Sequence, residues 1–399
     1  MMSGLSNRIE NLAESATLAM AAKAREFKQK GIDVISLSLG EPDFKTPKHI
    51  QEGAKAAIDE GKYFGYPPVN GYLDLREAIS KKFAEENNLT YSPSQIVVSN
   101  GAKQSIANIM FALINPGDEV IVFSPFWVSY SAMIELAEGV PVFVEGKLED
   151  DFKVTAEQLQ KAITPKTKAI IFSSPCNPTG SVFTETELKA ISEVVLNHED
   201  IFVISDEIYE HINYTDAHCS IGSLPGMIDR TITVNGFAKG FAMTGWRIGY
   251  IGAPEWIAKG AAKMQGQITS ANCSIAQRAG YTALTSDLGP TREMAKAYKE
   301  RRSLVYDLLN SVPGFKTNMP QGAFYFFPDV SHYFGKEIDG TKIKNASDLC
   351  IYILEDAHVS LVTGEAFGSP DCVRLSYAAS EESLKEAIKR IKASLEKLK

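Results

Sequence analysis

The sequence predicts an α/β fold in two parts: a large domain with a mainly parallel sheet between helices, and a smaller α+β domain. Two observations carry this prediction. From residue 46 to residue 289 amphipathic helices alternate with short apolar strands, which is typical of a parallel sheet covered by helices. After residue 290 a long helical stretch is followed by separate strand-like segments and a final amphipathic helix.

Local signals identify single elements of the large domain. Thr184 and Glu187 form a capping box in front of a helix whose apolar residues recur on one face. The segments 169–172, 201–204 and 231–234 are largely apolar without alternation, as expected for strands buried on both faces. Because ligands bind outside the carboxyl ends of such strands, the residues that follow them are the first candidates for chemistry.

The changes in pattern also predict the domain boundaries. We expect an N-terminal arm and part of the small domain over residues 1–45, the large domain over 46–289, and the small C-terminal domain over 290–399. A helix around 18–27 and a strand at 34–39 precede the break at Gly40-Glu41-Pro42. We expect both elements to pack with the small domain.

Composition and charge narrow the function classes. The 399 residues are 44% hydrophobic and carry a net charge of −8, which favours a globular protein and argues against binding to a nucleic-acid backbone or an anionic membrane. We expect small-molecule partners instead. The first 15 residues lack the apolar run of a signal peptide, and no segment is apolar enough to span a bilayer.

The cysteine and histidine pattern predicts neither a disulfide framework nor a metal site. The five cysteines are scattered and include no CxxC pair, so we predict a reduced, cytoplasmic protein. His218 lies beside Cys219, but a third ligand is missing from the local sequence. We interpret this pair as part of a surface loop.

Two residues at predicted strand ends point to a cofactor other than a nucleotide, since the chain lacks both the P-loop and GxGxxG. Lys239 lies among small and aromatic residues, where burial would lower its pKa, as a Schiff-base lysine requires. The alternative is a surface lysine whose aliphatic chain is buried while its amine reaches the solvent. Asp206 is either a helix N-cap or a buried carboxylate that needs a cationic partner, such as the pyridine nitrogen of pyridoxal phosphate. Tyr209 would face the same pocket.

A phosphate site is predicted where the strand 96–98 meets the next helix. Gly101 allows close approach of an anion to the free N–H groups at that helix start, and Arg247 could add a forked contact. The alternatives are an ordinary turn and a surface arginine.

Three further residues have two interpretations each. Trp127 is a core aromatic or a platform for a heteroaromatic ring, and Asn177 is a turn residue before proline or a ligand. Arg374 is an exposed strand residue or a clamp for a carboxylate.

Taken together, these motifs resemble the fold-type I pyridoxal-phosphate aminotransferases of class I, in particular the bacterial aspartate aminotransferases of subgroup Ib. The resemblance spans nearly the whole chain and implies a seven-stranded sheet in the large domain. The motifs that carry it are, in order, Gly40-Glu41-Pro42-Asp43-Phe44, Asn100-Gly101-Ala102-Lys103-Gln104, residues 125–130, Asn177-Pro178-Thr179-Gly180, Asp206-Glu207-Ile208-Tyr209, residues 238–249 and Arg374-Leu375-Ser376-Tyr377.

The resemblance implies pyridoxal 5'-phosphate as cofactor and assigns its ring contacts. Lys239 would bind the cofactor as a Schiff base and act as the catalytic base, and Asp206 would pair with the pyridine nitrogen. Tyr209 and Asn177 would hydrogen-bond the phenolic oxygen, and Trp127 would stack on the ring.

It also implies the phosphate site and a homodimer. Gly101, Ala102 and Arg247 correspond to phosphate-binding positions, with Lys103 beside them. Tyr66 corresponds to a tyrosine that reaches the phosphate bound by the partner subunit, so the active sites would lie at the subunit interface.

The implied substrates are an amino acid and a 2-oxo acid, with aspartate and 2-oxoglutarate first. Arg374, Asn177, Trp127 and the backbone at Gly40 would hold the α-carboxylate side, whereas Lys103 and Thr17 would recognise a distal carboxylate. A preference for prephenate, aromatic amino acids or alanine remains open. A lysine cannot form the two parallel hydrogen bonds that an arginine makes to a carboxylate, so it selects less strictly for an acidic substrate. A lyase that uses the same cofactor and a non-catalytic binding module are the alternatives from other classes.

Overall fold

The computed structural model describes residues 4–215 and 217–399. Helices and strands alternate through the middle of the chain as predicted. The helices are α1 Asn7–Glu10, α2 Ala16–Gln29, α3 Lys48–Asp59, α4 Leu73–Asn87, α5 Ala102–Leu113, α6 Ser129–Leu136, α7 Ala156–Ala162, α8 Glu185–Leu196, α9 Glu255–Ile268, α10 Ser274–Thr285, α11 Gly289–Asn310, α12 Ala346–Tyr352 and α13 Glu381–Leu395. The strands are β1 Ile35–Ser36, β2 Ile96–Ser99, β3 Glu119–Ser124, β4 Val140–Glu145, β5 Thr167–Ser173, β6 Phe202–Asp206, β7 Thr231–Gly236, β8 Gly249–Gly252, β9 Tyr325–Phe326, β10 Glu337–Ile338, β11 Thr341–Lys342, β12 Val359–Ser360, β13 Val362–Thr363 and β14 Val373–Ser376.

A mixed sheet forms the centre of the large part. Among the described residues it has seven strands in the order β2-β8-β7-β6-β5-β3-β4. Only β8 runs against its neighbours, because it pairs antiparallel with both β2 and β7 while the other pairs are parallel. The prediction of a mainly parallel, seven-stranded sheet is confirmed.

The strand β5 is apolar over residues 169–172 because both faces of the sheet are covered there. In β5, Ala169 and Ile171 pack into the cluster formed with α5, α6 and α9. Ile170 and Phe172 point the other way and pack against α7 and α8. A strand buried on both faces shows no polar alternation, which is the pattern that the sequence has at 169–172.

The capping box predicted for α8 is present. The Thr184 side chain accepts a hydrogen bond from the Glu187 N–H, and the Glu187 carboxylate accepts one from the Thr184 N–H at 2.7 Å. The apolar face of α8 buries Leu188, Ile191 and Val195 against the sheet.

The N-terminal and C-terminal segments share a second core. β1 pairs in parallel with β12, and β13, β14 and β9 form a small antiparallel sheet. Helices α11 and α13 bury their apolar faces in the same cluster as Leu37 of the N-terminal segment. We therefore propose 1–45 with 290–399 as the small domain and 46–289 as the large one.

The direction of the strands brings the candidate residues to one edge of the central sheet. Because β8 runs antiparallel to both β2 and β7, β2 runs in the same direction as β7 and the other parallel strands. The carboxyl ends of β2, β3, β5, β6 and β7 therefore meet at the same edge. The segments that follow them carry Gly101, Trp127, Asn177, Asp206 and Lys239.

One interpretation of the sequence is wrong. His218 does not lie on a surface loop: its side chain is 9% exposed and its Nε2 is 2.9 Å from the buried Glu207 carboxylate. Ser220 Oγ donates to the same carboxylate at 2.6 Å. A buried carboxylate needs such partners, so Glu207 draws the segment 218–220 inward.

Within the part of the chain that the structure describes, none of the helices is both long and apolar enough to cross a membrane.

Helix α8 provides a test of the core. Leu188 is 1% exposed and Leu196, on the same helix, is 41% exposed. Leu188→Ala should lower the free energy of unfolding by about 2–5 kcal/mol, because it leaves a cavity in the core. Leu196→Ala is the matched control and should change it by less than about 0.5 kcal/mol. Urea denaturation followed by circular dichroism measures both, and equal shifts of the two midpoints would contradict the packing described.

Candidate active site

Lys239 lies just beyond the end of β7 with its amine turned toward the N-terminal segment. Its Nζ donates to the carbonyl oxygen of Gly40 at 2.5 Å and lies 5.5 Å from the centre of the Tyr209 ring. Burial, and then the nearby Arg374 guanidinium, lower the pKa of Lys239 from 10.5 to about 8. No carboxylate of residues 4–215 or 217–399 forms an ion pair with this amine. Lys239 is therefore suited to react as a neutral amine.

Asp206 is a buried carboxylate at the end of β6. Its Oδ2 accepts a hydrogen bond from the Tyr130 hydroxyl at 2.6 Å, and its Oδ1 accepts one from the Ile208 N–H at 3.3 Å. Burial raises the pKa of Asp206 to about 6. No helix begins at Asp206, so the N-cap interpretation is wrong.

Arg374, on β14, is the buried cation of the site. It is 2% exposed, so it is not an exposed strand residue. Its Nη1 donates to Asn177 Oδ1 at 2.9 Å and its Nη2 to the carbonyl oxygen of Ser38 at 2.6 Å. The guanidinium lies 4.6 Å from the Tyr325 ring centre and 4.8 Å from that of Phe367.

This guanidinium is fixed but not neutralised. Both of its described hydrogen bonds go to uncharged oxygens, and Arg374 Nε is buried without a partner among the described residues. A buried charge of this kind calls for an anion, and a planar fork matches a carboxylate.

An anion cradle forms where β2 meets α5. Gly101 precedes α5 with a φ of +86°, and a Cβ there would lie 2.6 Å from Arg247 Nη2. Arg247 is held beside it, because Nη1 donates to Thr244 O at 2.9 Å and Nη2 to Asn100 O at 3.2 Å. Among the described residues the N–H groups of Ala102 and Lys103, at the start of α5, have no hydrogen-bond partner, so both this helix start and the guanidinium can receive a phosphate.

Trp127 and Lys103 lie next to this cradle. Lys103 Nζ is 5.0 Å from the Trp127 ring centre, and Trp127 meets Tyr130 edge to face at 5.5 Å between ring centres. Burial, and then the positive charge of Arg247, lower the pKa of Lys103. Trp127 is only partly buried, so one ring face can receive a ligand.

Three further predicted residues remain to be placed. Gly40, whose carbonyl accepts from Lys239, also lies against Tyr325, so a Cβ at that position would collide with the Tyr325 hydroxyl. Thr17 lies on α2, and its hydroxyl is buried without a partner among the described residues. Tyr66 is 94% exposed and does not join the site of its own chain.

The sequence analysis missed two tyrosines that complete the site. Tyr130 donates to Asp206, and Tyr325 shares a hydrogen bond with Tyr209 at 2.7 Å between hydroxyl oxygens. Tyr130 could have been found, since it ends the motif that contains Trp127. Tyr325 gives no local signal, because its role depends on how β9 packs against the large part.

Comparisons with known proteins identify the family. The family model for class I and II aminotransferases matches residues 32–391. The chain is 46% identical to a bifunctional aspartate aminotransferase and glutamate/aspartate-prephenate aminotransferase of Petunia hybrida, over 99% of this chain and 83% of the relative. It is 44% identical to an aspartate aminotransferase of Geobacillus stearothermophilus, over 98% and 99% of the two chains.

A solved structure gives the same result. The aspartate aminotransferase of Rhizobium meliloti superposes with a TM-score of 0.95 at 40% identity, and the match covers 100% of both chains. Since both the sequence match and the structural match extend over essentially the full length, the chain belongs to the class I and II aminotransferases and has their fold.

Proposed function

We propose that this protein uses pyridoxal 5'-phosphate to transfer the amino group of L-aspartate to 2-oxoglutarate, giving oxaloacetate and glutamate. The observation that carries the proposal is the placement of three charged groups around one space. The Lys239 amine has a lowered pKa, and the charges of Arg374 and Asp206 both act on it. Both of these groups are buried, and neither has an ion-pair partner among the described residues.

The residues present fit the cofactor. Asp206 has no ion-pair partner among the described residues, and its position suits a protonated pyridine nitrogen. The cradle at Gly101, where a Cβ would collide with Arg247, suits the phosphate, and the partly open face of Trp127 suits the ring. Lys239 would bind the aldehyde, and Tyr209 with Asn177 would contact the phenolic oxygen.

When bound, pyridoxal 5'-phosphate supplies an aldehyde that condenses with amines and a ring that accepts electrons. Asp206 would pair with the ring nitrogen and favour its protonated form. Arg374 and Asn177 bind the α-carboxylate of the substrate and so fix the direction of the Cα–H bond. Lys239 Nζ is then the group that moves the proton on and off Cα, because only its neutral form can accept a proton.

The choice of an acidic substrate rests on Lys103 and Thr17. The relatives named above are aspartate aminotransferases, and one of them also carries prephenate in its name. Lys103 Nζ lies over Trp127 at the edge of the site, where it can meet a second carboxylate. The unpartnered hydroxyl of Thr17 can donate to the same group.

We also propose a homodimer with shared active sites. Tyr66 lies in a segment that also exposes two large apolar side chains, Phe64 at 70% and Leu73 at 54%. Patches of large apolar side chains mark interfaces, and Tyr66 would there reach the phosphate in the partner subunit. A cytoplasmic location remains a prediction from the cysteine pattern.

A single-turnover experiment tests the proposed function. The cofactor-loaded protein, mixed with L-aspartate and no 2-oxo acid, should release about one equivalent of oxaloacetate per subunit and then stop. Lys239→Ala should slow this release by about 10³-fold or more, because the proton-transfer group is lost. The exposed Lys81→Ala is the control and should behave like wild type.

Other outcomes of that experiment contradict the proposal in distinct ways. Continuous release of pyruvate and ammonia from an amino acid without an acceptor would show a lyase. Conversion of phenylalanine or alanine but not of aspartate would keep the transamination and reject the substrate. No reaction with any amino acid would reject the enzyme function.

Substrate choice has its own test in Lys103→Met, which removes the charge and keeps the length of the side chain. We expect kcat/KM for aspartate to fall about 10- to 100-fold, since a charged hydrogen bond is lost, and kcat/KM for phenylalanine to change less than about threefold. Lys259→Met, at an exposed lysine of α9, is the control. An equal loss for both substrates would show that Lys103 does not read the distal carboxylate.

A further inference from the structure

Three buried amide side chains lie between the anion cradle and the segment that carries Tyr66. They are Gln265 on α9, Gln277 on α10 and Asn272 in the turn between these helices. Gln265 and Gln277 are 0% exposed and Asn272 is 1% exposed. We call these three residues the amide unit.

Two members of the amide unit hold the segment 65–72. Gln265 Nε2 donates to the carbonyl oxygen of Val69 at 2.6 Å, and the Tyr72 N–H donates to Gln277 Oε1 at 2.8 Å. Val69 and Tyr72 lie three and six residues after Tyr66 in the sequence. Gly71, between them, has a φ of +96°, and a Cβ there would lie 2.8 Å from the Val98 side chain, so the segment is pressed onto β2.

The amide unit also holds the anion cradle. Asn272 Nδ2 donates to Asn100 Oδ1 at 2.8 Å and to the carbonyl oxygen of Arg247 at 2.7 Å. Gln265 Nε2 donates to the carbonyl oxygen of Val98 at 2.8 Å, just before the turn that leads to Gly101. The backbone on both sides of the cradle is therefore fixed by these amides.

The two attachments are joined inside the unit. Gln277 Nε2 donates to the carbonyl oxygen of Asn272 at 2.9 Å, and Gln265 Nε2 bonds both Val69 and Val98. The same side chains thus meet both the Tyr66 segment and the cradle. The bonds to the Val98 and Asn272 carbonyls are buried, so losing either one leaves a buried carbonyl without its described partner, and the two attachments share that cost.

We propose that Gln265, Asn272 and Gln277 are positioning residues. They hold the anion cradle of a subunit and its segment 65–72 in a fixed relative position, and Tyr66 of that segment contacts the other subunit. This inference rests on the proposed function, because it takes the phosphate site and the homodimer from there. Its consequence is that phosphate binding and subunit association depend on the same side chains. None of the hydrogen bonds described for the unit goes to Lys239, Asp206 or Arg374.

Gln277→Met is the direct test, made in the full-length chain freed of cofactor. Inorganic phosphate is titrated by calorimetry, and the dimer dissociation constant is measured by sedimentation equilibrium. We expect about tenfold weaker phosphate binding and about tenfold weaker association, because the Tyr72 N–H and the Asn272 carbonyl both lose their partner.

Gln95→Met is the matched control. Gln95 also accepts from one backbone N–H, that of Ser92, and donates to one backbone carbonyl, that of Ala253, but it lies at the opposite end of β2. Both constants should stay within about twofold of wild type. Gln95 is only partly buried, whereas Gln277 is 0% exposed, so the two variants need not lose the same stability. Both constants are therefore measured at a temperature at which circular dichroism shows each variant to be fully folded.

A double-mutant cycle tests whether Gln277 acts by positioning Tyr66 or only by stabilising the fold. On its own, Tyr66→Phe should weaken the binding of phosphate to the dimer. In the Gln277→Met variant the segment 65–72 is already displaced, so adding Tyr66→Phe should weaken phosphate binding little further. If Gln277→Met does not fold, Gln265→Met takes its place, since it frees the Val69 and Val98 carbonyls.

The outcomes distinguish this inference from the proposed function. Wild-type protein that binds no phosphate or stays monomeric would reject the proposed function and this inference with it. Wild-type protein that does both, together with a variant that changes only one constant or neither, would overturn the inference alone. Additive effects in the double-mutant cycle would overturn it as well.

Discussion

The site depends on a buried lysine amine that forms no ion pair with a carboxylate of the described residues. Lys239 Nζ is held by the carbonyl oxygen of Gly40, while Arg374 adds positive charge nearby. Had a carboxylate stood in place of that carbonyl, the ammonium form would be stabilised and the amine would be a poor nucleophile. Asp206, a buried carboxylate at the same end of the sheet, is instead bonded to Tyr130 and to the backbone.

This constraint explains why the chain needs two cores. Gly40 and Arg374 belong to the segments that pack together through β1, β12 and β14, whereas Lys239 extends from the central sheet. The groups that surround the amine therefore come from both parts of the chain.

Much of this arrangement could be predicted from the sequence because it is local. The strand ends at Asp206 and Lys239, the capping box at Thr184 and the turn at Gly101 are all encoded within a few residues. What could not be predicted depends on contacts between distant segments. Tyr325 acts through its bond to Tyr209, and His218 is buried because Glu207, just after Asp206, faces away from the site. The amide unit gave no signal, since buried glutamines and asparagines resemble exposed ones in sequence.

The most direct test of the account is the pH dependence of Lys239 reactivity. The rate at which pyridoxal 5'-phosphate attaches to the cofactor-free chain, at saturating concentration and with Lys239→Ala as blank, reports the neutral amine. Because the pKa is lowered to about 8, the rate should rise with pH, reach half its maximum near 8 and level off above it. Arg374→Met should move this midpoint upward, since a neighbouring positive charge is removed. A rate that continues to rise toward the ordinary lysine value of 10.5 would contradict the account.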